Sequence, residues 1–387
     1  MKRTLVVGWF LGICSVISSA QTQPFIDLKV KRDCVEYIKM HYLTPEDYLL
    51  SKFKDHDILF LGEFHRIKHD PELVQTLIPL LHQAGVNYLG FEFARRSEQS
   101  LIDSLLQAPA YDEKTARFIV FKQLVFWGYQ EYVDIFKAAW QLNHSLPKGD
   151  RPFRILALNN SPDWSVVMTA EDLDRREVML KVWHGESEED WAKVLFDVVL
   201  SKGEKALVYC GIHHAFTAYK QPIAINGQFV RFGDVRVGNA VYDKIGSRAA
   251  TIFLHAPWIS AEGYDKPVVR SADGYIDAVL NGLDSQYQRV GFDLKGTPFG
   301  GLPGVTSIYK FGYDHFALST IYDGYICQGP LSGYQGVTPI KGFINDSNLD
   351  EARAQSPNPN LRKMSADEFN KGIAQDADIQ KRPVLLK

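Results

Sequence analysis

The stretch DILFLGEFHRIKHDPELVQTLIPLLHQAGVNYLGFEF, residues 57–93, sets two short apolar runs on either side of one amphipathic segment. DILFLG (57–62) and YLGFEF (88–93) are almost continuously hydrophobic, as strands covered on both faces require. Between them lies DPELVQTLIPLLHQAG (70–85), in which Asp70 is placed to cap a helix and Pro71 suits its first turn. Leu73, Leu77, Leu80, Leu81 and Ala84 fall on one stripe of that helix, and Gly85 ends it. Strand, helix and strand in this order form a crossover unit, which joins parallel strands.

The same alternation continues outward. RILALN (154–159), ALVYCG (206–211), TIFLHA (251–256) and the late run YDGYICQGPL read as further strands. Helical patterns cover 97–106, 112–124, 131–142, 171–183 and 189–200, so the expected fold is α/β, with a mostly parallel central sheet flanked by helices. The aromatic-rich segment from Phe118 to Trp140 is read as helices packing on that sheet. From about Trp258 the chain has more Gly, Pro and Tyr. We expect a single elaborated domain over 21–347 and a polar, loosely attached tail over 348–387.

Composition narrows the partners. The 387 residues are 45% hydrophobic and 23% charged with a net charge of -3, and Lys and Arg are scattered. No basic footprint for nucleic acid or an anionic bilayer is present. Lys2 and Arg3, the apolar run to Ile17, and Ser18 and Ala20 before Gln21 read as a signal peptide over 1–20, cleaved after Ala20. The protein is therefore expected in the periplasm or outside the cell, with no segment long enough to span a membrane. Cys34, Cys210 and Cys327 would remain, enough for at most one disulfide, and are read as buried thiols.

Ligands bind outside the carboxyl ends of parallel strands, so the residues that follow each run carry the functional reading. The first run ends Gly62-Glu63-Phe64-His65, the second contains Glu92 between Phe91 and Phe93, and the third ends in Asn159 and Asn160. The fourth ends Gly211-Ile212-His213-His214, and the fifth reaches His255. Gly62-x-x-His65 and Gly211-x-x-His214 are one turn used twice, with glycine allowing the tight bend. Imidazole and carboxylate suit a divalent transition metal, and three such ligands with an open position make a hydrolytic site. Without metal the same groups suit a Glu-assisted His base acting on water. His69, His213 and His255 are read first as hydrogen-bonded structural residues, while a buried Glu92 requires a cation, a metal or dense hydrogen bonding.

Taken together, LFLGEFH, YLGFEF, RILALNNSP, DRREVM (174–179) and VYCGIHHAF resemble the superfamily of TIKI-type proteases, TraB/GumN-like proteins, ChaN-like haem-binding uptake proteins and erythromycin esterases. The Gly-Glu-x-His form is closest to the ChaN-like branch, although Arg176 stands where that pattern has Asp or Asn. The resemblance covers roughly 53–218 and implies an α/β fold with His and acidic residues in one pocket. It implies peptide cleavage, ester hydrolysis, or iron and haem binding. The first expectation is a metal-dependent hydrolase of a small-molecule or peptide substrate. His65, Glu92 and His214, with His213 beside them, would hold the metal; Glu63 would orient or deprotonate water, and Arg175 would meet a carboxylate or oxyanion. The alternatives are a non-covalent haem or iron binder and a metal-free esterase-like enzyme with His65 or His214 as base.

Overall fold

Nine strands are formed in a computed structural model that describes residues 26–225, 227–263 and 266–379; the expected signal peptide lies outside the described residues. They are β1 (Ile58–Glu63), β2 (Tyr88–Arg95), β3 (Arg154–Asn159), β4 (Ala206–Gly211), β5 (Pro222–Ile225), β6 (Gln228–Phe232), β7 (Ala249–Leu254), β8 (Arg289–Asp293) and β9 (Gly324–Gln328). Seven of them build one sheet in the order β3-β2-β4-β1-β7-β9-β8, and β5 and β6 pair separately as a hairpin. All neighbours in the large sheet are parallel except β8 against β9. The expected α/β fold is therefore the observed one.

Alternating side chains divide the core into two layers, as strand pleating demands. Leu59, Leu61, Leu89, Phe91, Leu207 and Tyr209 face the helices His69–Gln83, Glu113–Gln123 and Gln130–Ser145. Ile58, Phe60, Tyr88, Val208 and Cys210 face the opposite layer, built from Leu28–Met40, Glu188–Val198 and Val237–Ile245. Cys34, Cys210 and Cys327 are free and buried, and burial pushes the Cys34 thiol up to about 12. No described helix is long and apolar enough to cross a membrane.

Four local expectations need correction. The first crossover helix begins at His69 with Lys68 at its cap, so Asp70 does not cap it. Asp70 is instead buried against β9, where it accepts a hydrogen bond from Gln328 Nε2 at 2.8 Å, and burial raises its pKa well above the usual carboxylate range. The helix expected over 171–183 is broken: Ala170–Asp174 is a tight 3-10 turn, Arg175 is extended (φ -97, ψ 112), and Arg176–Val182 resumes as α-helix. The antiparallel β8 and the β5–β6 hairpin were not foreseen, because neither has a strong apolar run. Finally, the described part of the polar segment, 348–379, is docked rather than loose. Its helix Ala366–Ala377 buries Phe369, Ile373 and Ala377 in the main core, and Asp376 pairs with Arg66 at 3.3 Å. These three residues follow one another at intervals of four, which lets an otherwise polar segment present one buried face.

The position of the site follows from the connections. β1 and β4 are parallel neighbours with Glu63 opposite Gly211. The helix that follows β1 packs on one face of the sheet, whereas Val237–Ile245, the long helix after β4, packs on the other. Connections that leave adjacent strands in opposite directions open a crevice at their carboxyl ends.

Candidate active site

Glu63 ends β1 with its side chain in the aromatic layer and is fully enclosed. Its Oε1 accepts hydrogen bonds from Tyr132 Oη at 2.6 Å and makes a contact of 2.7 Å with His65 Nδ1, while its Oε2 accepts from Tyr209 Oη. Burial and the Glu63 charge hold both tyrosines well above their ordinary pKa, so both hydroxyls keep their protons and donate. Three donors are what an enclosed carboxyl group needs, since leaving it unpartnered costs several kcal/mol. Because Glu63 accepts at Nδ1, His65 carries its proton there and presents Nε2 as a base. Nε2 has no hydrogen-bond partner among the described residues, and the ring edges against Phe93 and Trp127 at 5.7 and 5.0 Å between centroids.

Gly211 makes this arrangement possible. A β-carbon there would lie 2.6 Å from His65 Cε1, 2.9 Å from its Nε2 and 3.5 Å from Glu92 Oε2. The space a side chain would fill therefore separates the imidazole from the second carboxylate. Glu92 Oε2 accepts the Gly211 N–H at 2.6 Å, and its Oε1 faces His214 Nε2 at 3.4 Å.

His214 is held quite differently from His65. Its Nδ1 approaches Glu188 Oε2 at 2.9 Å, obliquely enough to be an ion pair rather than an aligned hydrogen bond. Both ring nitrogens thus face carboxylates. Against the cost of burial, Glu188 and Glu92 lift the His214 pKa to about 9. Glu188 is itself held at about 2: burial works against its charge, but His214 and Arg236, the latter 2.6 Å away, outweigh it. Next to this cation, His213 is half-buried, lies 2.8 Å from Tyr309 Oη through Nε2, and is lowered to about 3, chiefly by desolvation and then by Arg236 and His214.

These groups line a cavity of about 230 Å³ bounded by Glu63, His65, Arg66, Gly211, His213 and Tyr309, with His214 also on its wall. Arg66 adopts φ 74, a backbone region uncommon for residues other than glycine, and strain of this kind concentrates at functional sites. Its Nε donates to Tyr129 Oη at 3.0 Å and its guanidinium lies over Trp127 at 4.8 Å.

The structure thus brings Glu63, His65, Glu92, His213 and His214 to one rim. It does not bring Arg175 there: that half-exposed side chain pairs with Asp172 and Glu177 and is absent from the cavity wall. His255 is buried against Tyr325 Oη at 2.8 Å, and His69 lies 3.9 Å from Glu72. Four contributors escaped sequence reasoning. Tyr132 is one aromatic among many, and Tyr209 sits inside an apolar run. Glu188 is one of three acids at a helix start, and Arg66 is an unremarked neighbour of His65. The capping Ser187 before Glu188 marks that helix start, but nothing local marks the carboxylate's partner.

His65, Glu92 and His214, expected to hold a metal, lie at the same rim without being drawn together as one ligand set. His214 faces Glu92 through Nε2 and Glu188 through Nδ1, and Glu92 Oε2 accepts a backbone N–H. Among the described residues no three His, Cys, Asp or Glu side chains gather as a ligand set.

No family model and no curated protein matches the chain. Among solved structures, a succinoglycan biosynthesis protein superposes with a TM-score of 0.50 at 10% identity, over 79% of this chain and 99% of its own. A Bacillus cereus protein gives 0.45 at 13% identity over 79% and 100%. The type III effector HopBA1 gives 0.35 at 15% identity over 60% and 90%. At such identities the first likeness bears on the fold alone.

Proposed function

We propose that this protein hydrolyses an acyl bond, ester or peptide, of a small substrate, with His65 as general base on water and without a metal. The observation that carries this reading is the Glu63–His65 pair, in which an enclosed, triply bonded carboxyl group orients an imidazole whose Nε2 borders the cavity. Water bound at Nε2 gives its proton to that nitrogen while its oxygen adds to the substrate carbonyl. Collapse of the tetrahedral adduct returns the proton to the leaving oxygen or nitrogen. Arg66 and protonated His214 on the cavity wall offset the negative charge that develops on the carbonyl oxygen. The resemblance of LFLGEFH and VYCGIHHAF to the TIKI and erythromycin esterase superfamily supports a hydrolytic role. From the pattern of residues 1–20 the protein is exported and cleaved after Ala20, which N-terminal mass spectrometry tests.

The functional test is a panel of aryl and alkyl esters, lactones and short peptides offered to the mature protein and to His65→Ala. Turnover lost in the folded variant is the expected result. Equal turnover in both proteins, or none across the panel, would overturn the assignment.

A further inference from the structure

Arg95 ends β2 and is the one lysine or arginine among the described residues that is buried, at 5% exposed. A buried cation ordinarily sits against a carboxylate, because taking its charge out of water is otherwise unfavourable. Arg95 has no ion pair among the described residues. Its Nη2 donates to the Gln123 carbonyl at 3.4 Å and its Nε is enclosed without a hydrogen-bond partner, while Nη1 has none either but is not sealed from solvent. The acids that act on it from a distance are engaged elsewhere: Glu351 Oε1 accepts from Lys122 at 2.7 Å and Gln355 at 3.1 Å, and Glu98 Oε1 from Ser97 at 3.1 Å. The next residue makes the contrast plain, since the more exposed Arg96 is matched by Glu186 at 2.7 Å.

The guanidinium lies beside the aromatic wall of the His65 cavity. Phe93, two residues before Arg95, meets the His65 ring edge-on, and Trp127, four residues after Gln123, stacks on Phe93 and meets His65 as well. The register of β2 against β3 shifts over the same span: Phe91 pairs with Ala157 but Arg95 with Asn159, so β2 carries two extra residues. Irregularities of this kind re-aim side chains and concentrate beside active sites. A guanidinium presents paired N–H groups that match the oxygens of a carboxylate or phosphate.

We propose that Arg95 is the recognition site for an oxyanion, carboxylate or phosphate, carried by the substrate at a distance from the scissile acyl bond. The selection of acidic substrates rests on the hydrolytic reading, whereas anion binding at Arg95 is measured without turnover. Stability should respond in the opposite sense to function: an uncharged side chain at this position removes a desolvated charge and leaves no carboxylate stranded.

The test uses the full chain and Arg95→Gln, with Arg96→Gln as the control for a paired surface charge. Calorimetric titration with glutarate and with inorganic phosphate distinguishes the two oxyanions. Binding of at least one of them, weakened roughly tenfold or more in Arg95→Gln and unchanged in Arg96→Gln, is the expected result. A phenyl ester whose acyl chain ends in a carboxylate should show a KM raised by a similar factor in Arg95→Gln at unchanged kcat, while neutral phenyl acetate is turned over equally by both proteins. The melting temperature of Arg95→Gln should be no lower than that of the wild type. Arg95→Lys, which keeps the charge and loses the paired N–H groups, gives the same comparison should Arg95→Gln fold poorly. No binding of either anion by the wild type, equal binding in the folded variants, or no preference for the acidic ester would overturn the proposal. Arg95-dependent anion binding with no ester hydrolysed would support the anion site and overturn the hydrolytic reading alone.

Discussion

His65 Nδ1 and Glu63 Oε1 are 2.7 Å apart although the two residues are separated only by Phe64. Residues i and i+2 of a strand point to the same face, and β1 ends at Glu63, so the chain turns just enough for the imidazole to fold back onto the carboxyl group. Replacing Glu63 by Gln should leave the fold intact and reduce turnover by roughly 10²- to 10⁴-fold, the range a positioned general base contributes. Adding His65→Ala to Glu63→Gln should cost little more, since the two act as a unit. Steady-state kinetics on the three proteins, with circular dichroism as the fold control, decides it; independent, multiplicative losses would argue against a dyad.

Gly211→Ala tests the same pair from the opposite strand. The new methyl group would press on His65 at 2.6 Å and drive its ring off Glu63. We expect a folded protein with turnover reduced at least roughly 10²-fold, in line with loss of a general base. Wild-type kinetics in this variant would mean that the ring position is unimportant.

Thermal stability should peak near pH 6.5. The His214 pKa is raised from 6.5 to about 9, so its contribution is complete below 6.5 and is lost as pH rises through 9. The His213 pKa is lowered from 6.5 to about 3, so its contribution is complete above 6.5 and is lost as pH falls towards 3. Glu188, lowered from 4.5 to about 2, adds a further loss below 4.5. Each unit of such a gap corresponds to about 1.4 kcal/mol. Melting curves from pH 4 to 9.5 measure the profile, and His214→Gln should flatten its alkaline side. A plateau extending to pH 9 would contradict the assignment.

Dialysis against a strong chelator should leave hydrolysis unchanged, because the proposed reaction uses His65 as base on water and no metal. Activity that vanishes on chelation and returns with a divalent transition metal would restore the metal-dependent alternative. Titration with haem should likewise produce no strong Soret band.

The parallel sheet was legible because β1, β2, β3, β4 and β7 are buried on both faces and therefore nearly unbroken in hydrophobicity. β8, with an exposed Arg289 at its start and a glycine at its centre, lacks that signature, and the exposed β5–β6 hairpin lacks it too. At the site, Glu63, Glu92, His65 and His214 were visible as polar residues at strand ends. The partners that set their protonation were not. Tyr132, Tyr209, Glu188 and Arg236 meet them only through tertiary packing, and no spacing rule connects residue 188 to residue 214. Arg175 illustrates the converse: an Arg that fits a motif is satisfied by Asp172 and Glu177 within its own turn.

The docking of the helix Ala366–Ala377 has a consequence for biosynthesis. It brings Asp376 to Arg66, and the Ile373 carbonyl accepts from Tyr129 Oη, the hydroxyl that also receives Arg66 Nε. A nascent chain emerges from the ribosome in order, at roughly 5–20 residues per second. The β1 turn is therefore made early but cannot be braced until residues 373–376 have left the exit tunnel, so the cavity beside it is among the last parts of the molecule to mature.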